Sequence, residues 1–139
     1  MDIKSNNATH NRPGGARLID APSLKIKFND YVRQLKQEKA WETSDRNAIT
    51  VFKTEGVTIV ITALHQGASL NDIKVEGLLV LQVMSGVVNI TIDDKPATFS
   101  DKEILVVNST SVWQVTAAED SVVQLSYIKA IAVPEDNNM

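Results

Sequence analysis

The sequence predicts an all-β, antiparallel fold, a sandwich or barrel, with one α-helix packed outside it. Three observations carry that prediction. Between Gly77 and Trp113 the chain reads GLLVLQVMSGVVNITIDDKPATFSDKEILVVNSTSVW, four short apolar runs separated by Ser85-Gly86, Asp93-Asp94-Lys95-Pro96 and Ser100-Asp101-Lys102. All three separators are turn chemistry, so the stretch reads as an antiparallel meander. Val57 to Leu64 is β-branched nearly throughout, as a strand buried on both faces should be. Only the stretch from Phe28 to Trp41 repeats its apolar residues with a helical period.

Composition bounds the rest. With 139 residues and 43% hydrophobic content, the chain is one domain, long enough to bury its own core. A net charge of -3, with 14 scattered Lys and Arg residues, gives no pull toward nucleic acid or an anionic membrane. There is no cysteine, which removes disulfides, thiolate nucleophiles and cysteine-based metal sites. No run reaches the roughly 18 apolar residues of a membrane span, and no signal-like apolar core opens the chain. The expectation is a cytoplasmic protein with neither nucleic acid nor membrane as partner.

Taken in order, residues 1–15 are polar and read as a flexible tail. Leu18 to Ile26 holds short apolar pieces broken by Pro22, an edge strand. Phe28, Tyr31, Val32 and Leu35 fall at i, i+3, i+4 and i+7, which predicts a helix over about 29–40. Asn29 is placed as its N-cap and Asp30 favours the helix dipole. Strands follow at Ala48 to Lys53, Val57 to Leu64, Leu70 to Val75, Leu78 to Met84 and Val87 to Ile92. Further strands are Ala97 to Phe99, Ile104 to Val107, Val112 to Ala117 and Val122 to Ile131. The domain therefore covers about 16–133, with strands over about 48–131 and a polar, frayed end at 134–139.

Several of these residues carry a family pattern. Gly86, in the hairpin LQVMSGVVNI, matches the final glycine of the first cupin motif. The run ILVVN followed by STS keeps the shape of the second motif, with Lys102, Asn108 and Thr110 where its first glycine, proline and second glycine stand. The segment QVTAAEDSVVQLSYI resembles the last barrel strands of small bacterial cupins. From about Leu64 to Ile128 the chain thus resembles a small single-domain cupin of the RmlC-like superfamily, which implies a jelly-roll β-barrel.

The resemblance also implies where metal ligands would stand. The glutamate position falls on Leu79, and the motif-two histidine on Trp113. The two motif-one histidines fall on Ile73 and Val75, or on Asp72 and Lys74 with the longer spacing. The three-histidine, one-glutamate set is absent, which implies a divergent, metal-free member without a cofactor. The chain has two histidines: His10 in the tail, and His65 before Gln66-Gly67, read as a solvated turn residue.

What remains for chemistry is limited. Trp113 either plugs the space the metal left or offers a flat face to a ligand. Asp72, Lys74 and Glu76 alternate with Ile73 and Val75, so one set faces the barrel and the other does not. Gln82 interrupts the apolar run LVLQVM. Asp93, Asp94 and Asp101 read as turn formers. No phosphate loop, nucleophile elbow or catalytic triad is present. The ligand-pocket candidates are Trp113, Leu79, Ile73, Val75, Asp72, Lys74 and Gln82, with no catalytic residue assigned. The expected function is a metal-free barrel acting as a small-molecule-binding or interaction module. The alternative is a metal-independent isomerase or epimerase acting on a sugar-like substrate. Val57, Ile59 and Ile61 alternate with Thr58, Val60 and Thr62. One set should face the core and the other a helix or a second subunit, so a twofold homodimer is expected.

Overall fold

The computed structural model describes residues 4–6, 17–73, 77–108 and 113–129. Its elements in chain order are β1 (Lys4–Asn6), β2 (Arg17–Asp20), α1 (Phe28–Gln37), α2 (Lys39–Thr43), β3 (Arg46–Lys53) and β4 (Val57–Leu64). They continue as β5 (Ser69–Ile73), β6 (Gly77–Ser85), β7 (Val87–Ile92), β8 (Lys95–Ser100), β9 (Ile104–Val107), β10 (Trp113–Ala117) and β11 (Ser121–Lys129). One antiparallel sheet has the order β3-β4-β11-β6-β9 and the other β5-β10-β7-β8. From β3 onward only the β3–β4 and β7–β8 connections stay within a sheet, and every other connection crosses to the opposite one. The result is a jelly-roll-like sandwich around a shared core.

Alternation along each strand fills that core. Leu79, Leu81 and Val83 of β6 and Val123 and Leu125 of β11 join Val88, Ile90, Val115 and Trp113 from the other sheet. The outer face of the four-stranded sheet is polar, as a solvated face should be. Ser69, Thr116, Asn89 and Thr98 lie in one row across it, with hydrogen bonds Ser69 Oγ to Thr116 Oγ1 (2.8 Å) and Thr98 Oγ1 to Asn89 Oδ1 (2.9 Å).

The helical layer covers part of the other sheet. Leu35, fully buried, packs with Ile49, Ile61, Ala63 and Val122 on the outer face of β3, β4 and β11. So the second face of β4 is buried by helix, while Thr62 on its inner side is 3% exposed. The expected single helix is in fact two. Glu38 has ψ 149°, an extended conformation that ends α1 and lets α2 turn. Asn47 Nδ2 fixes that break by donating to the Leu35 carbonyl (2.9 Å) and to Glu38 Oε1 (3.0 Å). The helix also starts one residue early: Lys27, not Asn29, is its N-cap, with no side-chain cap bond. Within the stretch expected to be a loose tail, Lys4–Asn6 form β1, paired antiparallel with β2. β2 ends at Asp20, short of Pro22, and lies beside β3.

Two turns show how the sequence sets register. Asp93 and Asp94 have φ of 50° and 65°, a two-residue hairpin of the kind that matches strand twist. β8 therefore starts at Lys95 and includes Pro96, tolerated because β8 is an edge strand. At Gly86 (φ 90°) the chain passes from one sheet to the other. A Cβ there would strike Ser121 Oγ and lie 2.6 Å from the Asp120 carbonyl oxygen. Ser121 Oγ is already engaged, accepting from Val87 N (3.1 Å) and donating to the Glu119 carbonyl (2.7 Å). The same end is tied further by Gly67 N to Ala117 O (2.8 Å), Ala118 N to Val87 O (2.9 Å) and Gln66 N to Asp120 Oδ1 (2.7 Å).

Gly86→Ala should therefore destabilise the protein by at least about 2 kcal/mol, combining a left-handed backbone with overpacking. Denaturant unfolding at unchanged slope measures it. A change near zero would show that the crossing relaxes freely.

Candidate functional site

β10 presents Trp113, Val115 and Ala117 to the core and Gln114 to the outside. The Trp113 backbone is paired with Ile73 on one side and Ile92 on the other. On the facing sheet Leu79 is in register with Tyr127 and with Val107. Trp113 opens β10 and Tyr127 stands near the end of β11, so both lie away from the Ala118–Asp120 turn and its hydrogen bonds. Leu79 is fully buried and Trp113 is 1% exposed.

The indole N–H of Trp113 is buried with no hydrogen-bond partner among the described residues. An unmet buried donor costs about 1–3 kcal/mol, so such groups are rare. Tyr127 is half-buried at the same end, and burial pushes its phenol above the ordinary value. Thr58 of β4 is in register with Tyr127, and the core residues Leu79 and Val107 are apolar.

The other candidates separate. Ile73 and Asp72 close β5, and Ile73 pairs with Trp113 through the backbone. Their side chains, and the whole of Lys74, Val75 and Glu76, lie outside the described residues, as do His10, Ser109 and Thr110. Gln82 does not point into the core. Its neighbours Leu81 and Val83 do, and Gln82 lies on the outer face, where its Oε1 accepts from Gln124 Nε2 at 3.1 Å. The amide interrupts the apolar run because it belongs to the outward set of β6.

His65 is not a free turn residue. Its ring stacks on Trp41, with centroids 3.4 Å apart and planes 16° from parallel. Its Nε2 is 2.7 Å from the Trp41 carbonyl oxygen, and its Nδ1 is 3.9 Å from Asp120 Oδ2. The histidine clasps α2 to the turn after β4, a role hidden in the sequence because Trp41 arrives only through the break at Glu38. Among the described residues no group of three His, Cys, Asp or Glu side chains is placed to hold a metal ion. A groove lined by Lys25, Lys27, Asp30, Tyr31 and Gln34 opens at the start of α1. Asp20 is 4% exposed, and its Oδ1 has no partner among the described residues. No sequence signal marked it.

Comparison with known proteins gives the fold a name. No protein-family model and no curated protein matches the chain. Solved structures do. A cupin superfamily protein from Desulfitobacterium hafniense is 14% identical with a TM-score of 0.60, over 61% of this chain and 78% of that one. A conserved protein of unknown function from Streptococcus pyogenes is 18% identical with a TM-score of 0.61, over 82% of this chain and 93% of that one. Salicylate 1,2-dioxygenase from Pseudoaminobacter salicylatoxidans is 18% identical with a TM-score of 0.61, over 86% of this chain but 34% of that one. At these identities the likeness concerns the fold. Two antiparallel sheets joined by crossing connections, with Gly86 at one crossing, make this chain a protein of the cupin fold.

Proposed function

We propose that the chain is a metal-independent binding module whose Trp113 end takes a small apolar molecule carrying a hydrogen-bond acceptor. The observation that carries this reading is the Trp113 Nε1–H, buried and without a partner among the described residues. A carbonyl or carboxylate oxygen would satisfy it, and the surrounding Leu79 and Val107 would hold an apolar body. Tyr127, packed against the same core at this end, is a second polar group, with Thr58 in register beside it. The donor set does not fit a cupin metal. Two histidines are all the chain has, and His65 is committed to Trp41 at the opposite end. Leu79 and Trp113 stand where a glutamate and a histidine are needed, and neither can ligate.

Three outcomes follow. Protein purified without added metal should carry well under one iron, nickel, manganese or zinc per chain. One tightly held metal per chain in elemental analysis contradicts the reading.

Trp113→Ala should cost about 3–5 kcal/mol through the cavity it leaves. Trp113→Phe should cost far less, because removing the indole also removes the unmet donor. In a thermal-shift panel of small aliphatic and aromatic ketones and carboxylates, at least one compound should raise the melting temperature of wild type and fail with Trp113→Phe. A panel without effect on wild type, or with equal effect on both, sinks the reading.

The Tyr127 phenol ionises later in the folded protein than in the unfolded chain. Above pH about 10, the unfolded state then holds fewer protons, so stability falls as pH rises. Tyr127→Phe should flatten that fall. An unchanged alkaline slope would place the hydroxyl in open water.

A further inference from the structure

The register of the five-stranded sheet sets one row of residues across its inner face at the Trp113 end. Lys53 pairs with Thr58, Thr58 with Tyr127, Tyr127 with Leu79, and Leu79 with Val107. The row changes character along its length. Leu79 and Val107 are buried and apolar, Tyr127 and Thr58 carry half-buried hydroxyls, and Lys53 is exposed. In the next row along, Val60, Leu125 and Leu81 hold the places of Thr58, Tyr127 and Leu79, so the hydroxyls belong to this end alone.

A bulge puts the lysine there. Thr50 pairs with Val60 on the inner face, and regular alternation would then turn Phe52 inward and Lys53 outward. The register slips between Thr50 and Phe52 instead. Phe52 comes to lie beside Ile59, which packs under the helices, and Lys53 joins the inner row. Bulges recur where a strand must re-aim a side chain. Lys129, two residues beyond Tyr127 on β11, shares its face and adds positive potential at the same end. Among the described residues neither ammonium is in an ion pair, and Glu55 in the turn between β3 and β4 engages neither.

From this row we infer that the molecule taken at the Trp113 end is an oxo- or hydroxy-substituted carboxylic acid, its carboxylate at Lys53, Thr58 and Tyr127 and its second oxygen at the Trp113 indole N–H. The inference rests on the binding reading proposed above and adds the ligand's charge and orientation. Lys53 supplies the counter-charge that a partly desolvated carboxylate needs. The two hydroxyls donate to it, and bonds to an ionised acceptor are the strong ones. Burial keeps the Tyr127 phenol protonated at neutral pH, so it is a donor there. The apolar body lies along Leu79 and Val107.

Titration calorimetry of the full chain with levulinate and benzoylformate, each beside its methyl ester, tests this at neutral pH. At least one acid should bind at least about tenfold more tightly than its ester, and added salt should shrink that advantage. Lys53→Gln should bring the acid down to the level of the ester, Lys53→Arg should restore the preference, and Lys36→Gln on the exposed side of α1 should change nothing. Circular dichroism checks that each variant is folded. Esters that bind as tightly as acids overturn the inference and leave the Trp113 reading standing. So do neutral ketones that stabilise the protein through Trp113 when neither acid binds. An acid preference indifferent to Lys53→Gln also overturns it, by placing the charge elsewhere. No binding by any acid, ester or ketone overturns both.

Discussion

The close approach of Gly86 to the Asp120–Ser121 backbone is the constraint on which the rest of the structure depends. Here the chain leaves one sheet and enters the other, and the backbone takes a left-handed turn against a serine hydroxyl that is itself bonded on two sides. A side chain at this position has no room. With that crossing fixed, β6 lies against β11 in one sheet and β7 against β10 in the other. The apolar sets of all four strands then meet in one core. The turns after β4 and β10 are tied to the same end, so this end is held by directional bonds.

The opposite end is held differently. Its largest buried side chain is Trp113, whose indole N–H has no hydrogen-bond partner among the described residues. Packing area keeps the indole in place, and its polar edge works against that placement. Such a conflict, tolerated inside an otherwise consistent core, is the pattern expected where function and stability compete. Leu79 and the indole pack together in the core at this end.

Much of the fold was legible in the sequence. Strands β4, β7 and β9 begin and end where β-branched runs meet Gly, Asp and Ser turns, because period-two burial and turn chemistry are both local signals. The helix was legible through Leu35 and its neighbours, but its break was not. Glu38 is a good helix former, and what ends α1 there includes Asn47, a residue from β3. β1 was missed because Lys4–Asn6 carry no apolar period and owe their strand to β2.

The site was legible only in outline. Trp113 and Leu79 were marked by their place in a degenerate motif, and both lie in the core. Gln82, a pocket candidate that read equally as an outward amide, lies outward beside Gln124; strand parity decides between the two, because a shift of one residue exchanges the faces. The clasp of His65 on Trp41 depends on the helix break, so no local pattern announced it.

The Trp113 indole is the group to test. The chain has two tryptophans, so an amide correlation spectrum holds two indole N–H signals, assigned by Trp113→Phe. Transferred to heavy water, the Trp113 signal should persist and resonate upfield, as a buried donor without an acceptor does. Exchange as fast as that of an exposed indole would contradict a sealed, unmet donor at this end of the core.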